Sequence, residues 1–124
     1  MWEIEYTYEF QTWWDSLTHA QQEMLDNRVL LLAEHGPNLK RPVVGKIEGS
    51  RHTNMKELRA SKDGDLRVLF AFDPRRHVIL LLGGNKSRQW KDWYQLAIPQ
   101  ADDLYDAYIE ELYTEGLLEN PNSK

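Results

Sequence analysis

The segment from Asn54 to Asp73 has the pattern of a β-hairpin, and it constrains the fold because a hairpin fixes two neighbouring strands of a sheet. Gly64, within the turn Lys62–Asp65, supplies the positive φ that a tight hairpin turn requires. The returning strand, Leu66–Phe72, is rich in Val, Leu and Phe. The segment therefore predicts a hairpin whose second strand is largely buried.

Four cationic side chains lie on this hairpin: Lys56, Arg59, Lys62 and Arg67. Arg67 stands among apolar neighbours, and a charge in a buried strand needs a partner. That partner is either Glu57 across the hairpin, in a purely structural ion pair, or an external anion. Strand alternation places Lys56 and Arg59 on opposite faces, so either one of them is structural or a β-bulge re-aims it. The hairpin is a candidate anion-binding surface.

The charge is unevenly distributed along the chain, which has a net charge of −5. Residues 1–39 contain one Arg against seven Asp or Glu, and residues 92–124 contain one Lys against eight. Residues 40–91 contain 13 Lys or Arg against five Asp or Glu. A basic middle between acidic ends can present a positive patch to phosphates despite the overall sign. The distribution permits RNA binding, although an ordinary uneven surface would look the same.

Length and composition indicate one soluble domain. The 124 residues include no Cys, which excludes disulfides and thiolate metal sites. No apolar run reaches transmembrane length, and the acidic, alternating N-terminus is unlike a secretion signal. We expect a cytoplasmic protein with a single domain over residues 1–116 and a short tail over residues 117–124.

The first half of the chain predicts one strand and two helical segments. Alternation over Trp2–Phe10 predicts a strand with one buried face. Residues 11–17 predict a short helical turn. Thr18 and Gln21 form a capping box that starts a longer helix, which ends at Gly36-Pro37.

The second half adds the rest of the sheet and a last helix. Residues 43–47 predict a short strand ahead of the hairpin, and residues 77–82, nearly all aliphatic, predict an interior strand after it. A final helix is expected over residues 101–113, with Pro99 preceding it. The order β-α-α-β-β-β-β-α predicts an α+β domain, a mostly antiparallel sheet flanked by two N-terminal helices and a C-terminal helix.

Common catalytic motifs are absent from the sequence. It contains no Gly-rich phosphate loop, HExxH, GxSxG or clustered His/Asp metal site, so no metal or other cofactor is predicted. Of the four scattered histidines, only His52, in the polar loop before the hairpin, is a candidate proton carrier.

Several motifs occur in a fixed order: MKELR at 55–59, LRVLFAFDPRRHVILLLGGNK at 66–86 and WY at 93–94. Gly49-Ser50 and the AD..Y..Y pattern from Ala101 to Tyr108 extend the set. Together they resemble the phage Gp49-like, or HigB-like, branch of the RelE toxin superfamily, over most of residues 1–113. The resemblance implies a RelE-like fold and a toxin of a type II toxin–antitoxin pair.

The same resemblance implies a ribosome-dependent mRNA endoribonuclease that needs no metal and is inhibited by a helix-turn-helix antitoxin. Cleavage by ribose 2′-OH attack needs a base, cations for the phosphorane and an acid for the 5′-oxygen. The implied catalytic residues are Lys56, Arg59, Arg67, Lys86 and Tyr94. The implied RNA contacts are His52, Lys62, Arg75, Arg76, Arg88 and Trp93.

The roles implied for these residues differ. Arg67 and Lys86 would stabilise the phosphate, and Lys56 or Arg59 would assist deprotonation. Tyr94 would stack on a base or donate a proton, unless it and Trp93 simply pack in the core.

Two other function classes stay open. ParE toxins share the fold but inhibit gyrase by binding it, and supercoiling assays against translation assays would separate the two classes. An inert phage-derived binding module would show no toxicity, and alanine at Arg67 or Lys86 would change only its stability.

Overall fold

In a computed structural model, the described residues, 1–61, 64–86 and 90–119, form three α-helices and five β-strands. The helices are α1 (Tyr8–Asp15), α2 (His19–His35) and α3 (Trp90–Thr114). The strands are β1 (Glu3–Tyr6), β2 (Val44–Lys46), β3 (Met55–Ala60), β4 (Leu66–Phe72) and β5 (His77–Asn85). A short 3₁₀ turn, Gly36–Asn38, follows α2.

The strands form one sheet in the order β1-β5-β4-β3-β2. Only the β1–β5 pair is parallel among the described strands, so the predicted mostly antiparallel α+β architecture is confirmed. One face packs under α1 and α2 through a core that includes Leu25, Leu32 and Phe70. The other face packs under α3 around Leu81 and Ala101. A side chain on an inner strand therefore faces one of two separate layers.

The first strand is shorter than predicted because a helix cap interrupts the alternation. The Thr7 hydroxyl accepts a hydrogen bond from the Phe10 amide at 3.0 Å and starts α1. The predicted capping box of Thr18 and Gln21 is confirmed, and α2 ends at His35 as expected. Local capping decided where the strand stops and the helix begins.

The predicted start of the last helix is wrong, because α3 begins at Trp90 and contains Pro99 in its interior. A proline inside a helix removes a hydrogen bond and costs about 3 kcal/mol. Ala97, Ala101 and Tyr105 recur every four residues along α3, and all three are buried against the sheet. Burial of this continuous face outweighs the cost of the proline.

None of the helices in the described ranges combines the length and the apolar character needed to cross a membrane.

The hairpin forms as predicted, with Gly64 at a φ of +91°. Lys62 and Asp63 of its turn lie outside the described residues. The β3–β4 register runs without interruption from Met55 opposite Ala71 to Ala60 opposite Leu66. The register shift lies instead between β4 and β5, at Leu69/Phe70. Since no bulge re-aims β3, Lys56 and Arg59 face opposite layers.

Candidate active site

A buried carboxylate organises the α3 face of the hairpin. Glu57 is only 3% exposed. One of its oxygens accepts hydrogen bonds from Arg59 Nε at 3.0 Å and Nη2 at 2.8 Å. The other accepts from the Tyr94 hydroxyl at 2.5 Å and lies 3.8 Å from Arg67 Nε. These four residues, together with Lys86, are called the Glu57 cluster below.

Strand register explains why these side chains meet. Glu57 and Arg59 alternate along β3, so they share a face, and Arg67 on β4 lies directly opposite Arg59. Two cations at opposite positions repel each other, and the carboxylate of Glu57 offsets that repulsion. Glu57 therefore lies between the two arginines, and Asp65 forms a second, shorter ion pair with Arg67.

Two glycines make room for the cluster. Gly84 on β5 lies opposite Arg67, and a Cβ added to it would fall 2.2 Å from Trp93 Nε1. The Trp93 indole thus packs directly on the strand and fixes the start of α3, which carries Tyr94. A Cβ added to Gly45 would fall 2.4 Å from Arg59 Nη2. Close backbone approach at both glycines sets the positions of Arg59 and Tyr94.

Asp65 lies beside the cluster, next to Arg67, and Lys86 adds a further cation to it. Arg67 Nη1 donates to Asp65 Oδ1 at 2.7 Å and to the Leu66 carbonyl at 2.9 Å. Lys86 Nζ lies 5.9 Å from the centre of the Tyr94 ring. Desolvation would raise the pKa of Asp65, but a hydrogen bond from Ser61 and the charges of Arg67 and Lys86 hold it below its usual value. The Asp65 carboxylate is therefore anionic beside Arg67.

Burial raises the pKa of Tyr94 to about 12, and the hydrogen bond and charge of Glu57 act in the same direction, while Arg67 opposes them. Tyr94 therefore holds its proton at neutral pH and is a proton donor, not an acceptor. Because its folded-state pKa lies above the ordinary value of about 10, its contribution to stability is complete below about pH 10. That contribution is lost as the pH rises towards 12.

Phenolate absorbance tests this assignment. We expect the wild-type titration to contain a step near pH 12 that is missing from Tyr94→Phe. In Glu57→Gln the step should move to lower pH, because a neutral amide no longer opposes the phenolate. A Tyr94→Phe curve that instead loses a step near pH 10 would contradict the buried contact with Glu57.

The structure places the other predicted site residues elsewhere. Lys56 lies on the opposite layer from Glu57, where its Nζ donates to the Thr53 carbonyl at 3.3 Å. His52 is bound to Asp106 on α3 at 2.8 Å. Lys62 and Arg88 lie outside the described residues. Of the predicted set, Arg59, Arg67, Lys86, Tyr94 and Trp93 come together.

Arg75 and Arg76, both predicted to contact RNA, have intramolecular partners. Arg75 donates to Asp73 and Glu5, each at 3.3 Å, and to the Tyr108 hydroxyl at 2.9 Å. The Arg76 guanidinium lies 5.0 Å from the centre of the Trp2 ring. The turn between β4 and β5 is thus held in place by contacts with β1, α3 and the Trp2 ring.

Sequence reasoning treated Glu57 only as a structural partner for Arg67. The signal for a larger role was present, since Glu57 is the one acidic residue in MKELR and shares a strand face with Arg59. Tyr94 lies 37 positions further along the chain, so its approach to Glu57 could not be inferred from spacing.

One group of side chains has donors of the kind that metals use. Ligand atoms of Glu5, Asp73 and His77 lie within 4.8 Å of one another. Arg75 and Tyr108, however, already donate hydrogen bonds to both carboxylates. Because a cationic side chain already binds both carboxylates, the group does not fit a metal ion.

Comparison with known proteins identifies the family of this chain. Residues 12–106 match the family described as phage derived protein Gp49-like (DUF891). In Mycobacterium tuberculosis (strain ATCC 25618 / H37Rv), "Putative toxin HigB3" is 45% identical over 101 residues, 82% of this chain and 88% of that protein. "Putative toxin HigB2" of the same strain is 40% identical over 99 residues, 78% of this chain, but the chain spans only 49% of that protein.

The fold is shared with E. coli RelE. The isolated RelE toxin has a TM-score of 0.58 at 13% identity, covering 77% of this chain and 97% of that chain. A chain of the intact E. coli RelBE toxin–antitoxin complex has a TM-score of 0.57 at 13% identity, covering 68% and 96%. The chain belongs to the phage-derived Gp49-like family and adopts the RelE-like α+β fold.

Proposed function

We propose that this chain is the toxin of a type II toxin–antitoxin pair and acts as a ribosome-dependent mRNA endoribonuclease. The names of the two mycobacterial relatives and the RelE-like fold support the toxin assignment. The observation that carries the enzymatic assignment is the hydrogen bond between Glu57 and Tyr94, flanked by Arg59 and Arg67. It pairs a proton acceptor with a protonated donor beside cations.

The proposed reaction transfers two protons. Lys and Arg side chains carry their protons at neutral pH, and so does Tyr94, so Glu57 is the proton acceptor of the cluster. Glu57 removes the ribose 2′-OH proton, and the 2′-oxygen forms a bond to the adjacent phosphorus. The bond from phosphorus to the 5′-oxygen breaks, and Tyr94 donates its proton to that oxygen. The products are a 2′,3′-cyclic phosphate and a 5′-hydroxyl.

The cations have separate roles in this proposal. Arg67 and Lys86 stabilise the negative charge of the phosphorane, as electrostatic groups do when fixed in advance. Arg59 holds the Glu57 carboxylate in place through its paired hydrogen bonds. Each proton transfer has a side chain assigned to it, and the proposed reaction uses no metal.

The proposed partners follow from the resemblance and the fold. Translating ribosomes in the cytoplasm supply the mRNA, and a helix-turn-helix antitoxin holds the toxin inactive. A chain of similar fold occurs in the RelBE toxin–antitoxin complex, which supports the proposal that this chain binds an antitoxin.

One observation favours the alternative of an inert binding module. Arg59 and Arg67 are both ion-paired within the chain, as purely structural residues would be. Expression experiments separate this alternative from the enzyme and from a gyrase inhibitor.

The test is induced expression of the wild type, Arg67→Ala and Lys86→Ala, with growth, translation and mRNA ends on ribosomes measured together. We expect arrest by the wild type with cuts inside codons, and loss of both in the folded variants. Removing one such stabilising group should lower the cleavage rate by about 10²–10³-fold. Arrest with altered DNA supercoiling and intact mRNA would indicate gyrase inhibition, and no arrest would indicate a binding module.

A further inference from the structure

A second cationic surface lies on the opposite layer of the sheet from the Glu57 cluster. It is a groove of about 620 Å³ along the β2 edge. Four of its lining residues are cations, Lys40, Arg41, Lys46 and Lys56, and none is acidic. Apolar residues, among them Val44 and Phe72, complete its lining. We call this surface the β2 groove.

The four cations of the β2 groove have no carboxylate partner in the part of the chain that the structure describes, unlike four arginines of the basic segment. Arg51, Arg59, Arg67 and Arg75 each form ion pairs with acidic side chains. Within residues 1–61, 64–86 and 90–119, no carboxylate lies within 4.0 Å of the charged groups of the four groove cations. The groove therefore gathers four cations of this segment whose charge is not offset by a carboxylate of the described residues.

Strand register adds an unfavourable contact that an anion would relieve. Lys46 on β2 and Lys56 on β3 are direct cross-strand partners, so their side chains leave the sheet on the same side. Like charges in that relation destabilise a sheet. Lys40 and Arg41, both exposed, bring two more positive charges to the same groove. A chain of phosphates would neutralise several of these charges at once.

We propose that the β2 groove binds the phosphate backbone of folded RNA on the ribosome and docks the protein there, separately from the site that cuts mRNA. This inference rests on the proposed ribosome-dependent function. Four cations without a carboxylate partner among the described residues favour a polyanion, and the absence of any acidic lining residue leaves no feature that would select a mixed-charge protein segment. The location also explains how an acidic protein could bind RNA, since the groove is locally basic.

The proposal is tested by co-sedimentation with purified 70S ribosomes over a series of KCl concentrations. The test variant is Lys40→Gln/Lys46→Gln, and the matched control is Lys40→Arg/Lys46→Arg, which keeps both charges. We expect the glutamine variant to bind about tenfold more weakly or worse. We also expect the slope of log affinity against log salt to become shallower by about 1.5, as for two lost phosphate contacts.

The arginine variant should bind ribosomes like the wild type. Thermal melting should show no loss of stability in the glutamine variant, because Lys46→Gln removes a like-charge contact. Unchanged ribosome affinity and an unchanged salt slope in the glutamine variant would overturn the groove assignment. The assignment would also be overturned if the glutamine variant still bound ribosomes but no longer bound the purified antitoxin.

Cleavage of mRNA by the wild type is measured in the same samples to separate this proposal from the enzymatic one. Salt-dependent binding through the β2 groove without mRNA cleavage would support docking and reject the endoribonuclease. Cleavage with unchanged binding of the glutamine variant would reject docking alone. No binding by the wild type would reject docking on ribosomes outright.

Discussion

Glu57→Gln is expected to lower mRNA cleavage on ribosomes by about 10²–10⁴-fold while the protein stays folded. Glutamine keeps the size of the side chain, its one oxygen accepts hydrogen bonds from Arg59, and its amide NH2 donates to the Tyr94 hydroxyl oxygen in place of the hydrogen bond that the carboxylate accepted. It cannot remove a proton from the 2′-OH, because a neutral amide is not a base at any relevant pH. Growth arrest on induced expression should therefore disappear together with cleavage.

Glu48→Gln is the matched control, since Glu48 lies exposed in the loop between β2 and β3, outside the Glu57 cluster. Cleavage by this variant should equal that of the wild type. Both proteins should be compared by thermal melting, so that lost activity is not confused with unfolding. Full cleavage by a folded Glu57→Gln protein would remove Glu57 as the proton acceptor.

The fold followed largely from local patterns. Features that depend on neighbours in sequence can be predicted from the sequence. They include the capping box at Thr18, the turn glycine Gly64 and the largely aliphatic β5. The wrong predictions concern features that depend on contacts between residues far apart in sequence. Pro99 is tolerated inside α3 because Ala97 and Ala101 bury against the sheet, a contact that no local pattern contains.

The candidate site was harder to predict than the fold. Alternation correctly raised the conflict between Lys56 and Arg59, but only the uninterrupted register of β3 and β4 resolved it. The pairing of Glu57 with Tyr94 joins β3 to α3 through tertiary packing at Gly84. Side chains on different elements meet by packing, and spacing within one element does not reveal such meetings.

Asp73→Ala is expected to cause a large loss of stability, although Asp73 lies in the turn between β4 and β5, outside the Glu57 cluster. Its buried carboxylate accepts hydrogen bonds from the Arg75 amide at 2.7 Å, the His77 amide at 3.0 Å and the Tyr108 hydroxyl at 2.7 Å. Alanine leaves the Arg75 and His77 amides without their acceptor and removes one of the two carboxylates that bind the Arg75 guanidinium and the Tyr108 hydroxyl. We expect a loss of about 3–5 kcal/mol in the free energy of unfolding.

The matched control is Asp103→Ala on α3, since Asp103 is 77% exposed and its ion pair with Arg51 is solvated. Exposed pairs contribute little, so this variant should unfold close to the wild type in urea. The midpoint of thermal unfolding of Asp73→Ala should fall by about 10–20 °C. Burial and the hydrogen bonds to Glu5 and Asp73 hold the pKa of Tyr108 well above its usual value, so the variant should also titrate Tyr108 at lower pH. Equal, small losses in the two alanine variants would show that the β4–β5 turn does not depend on the Asp73 network.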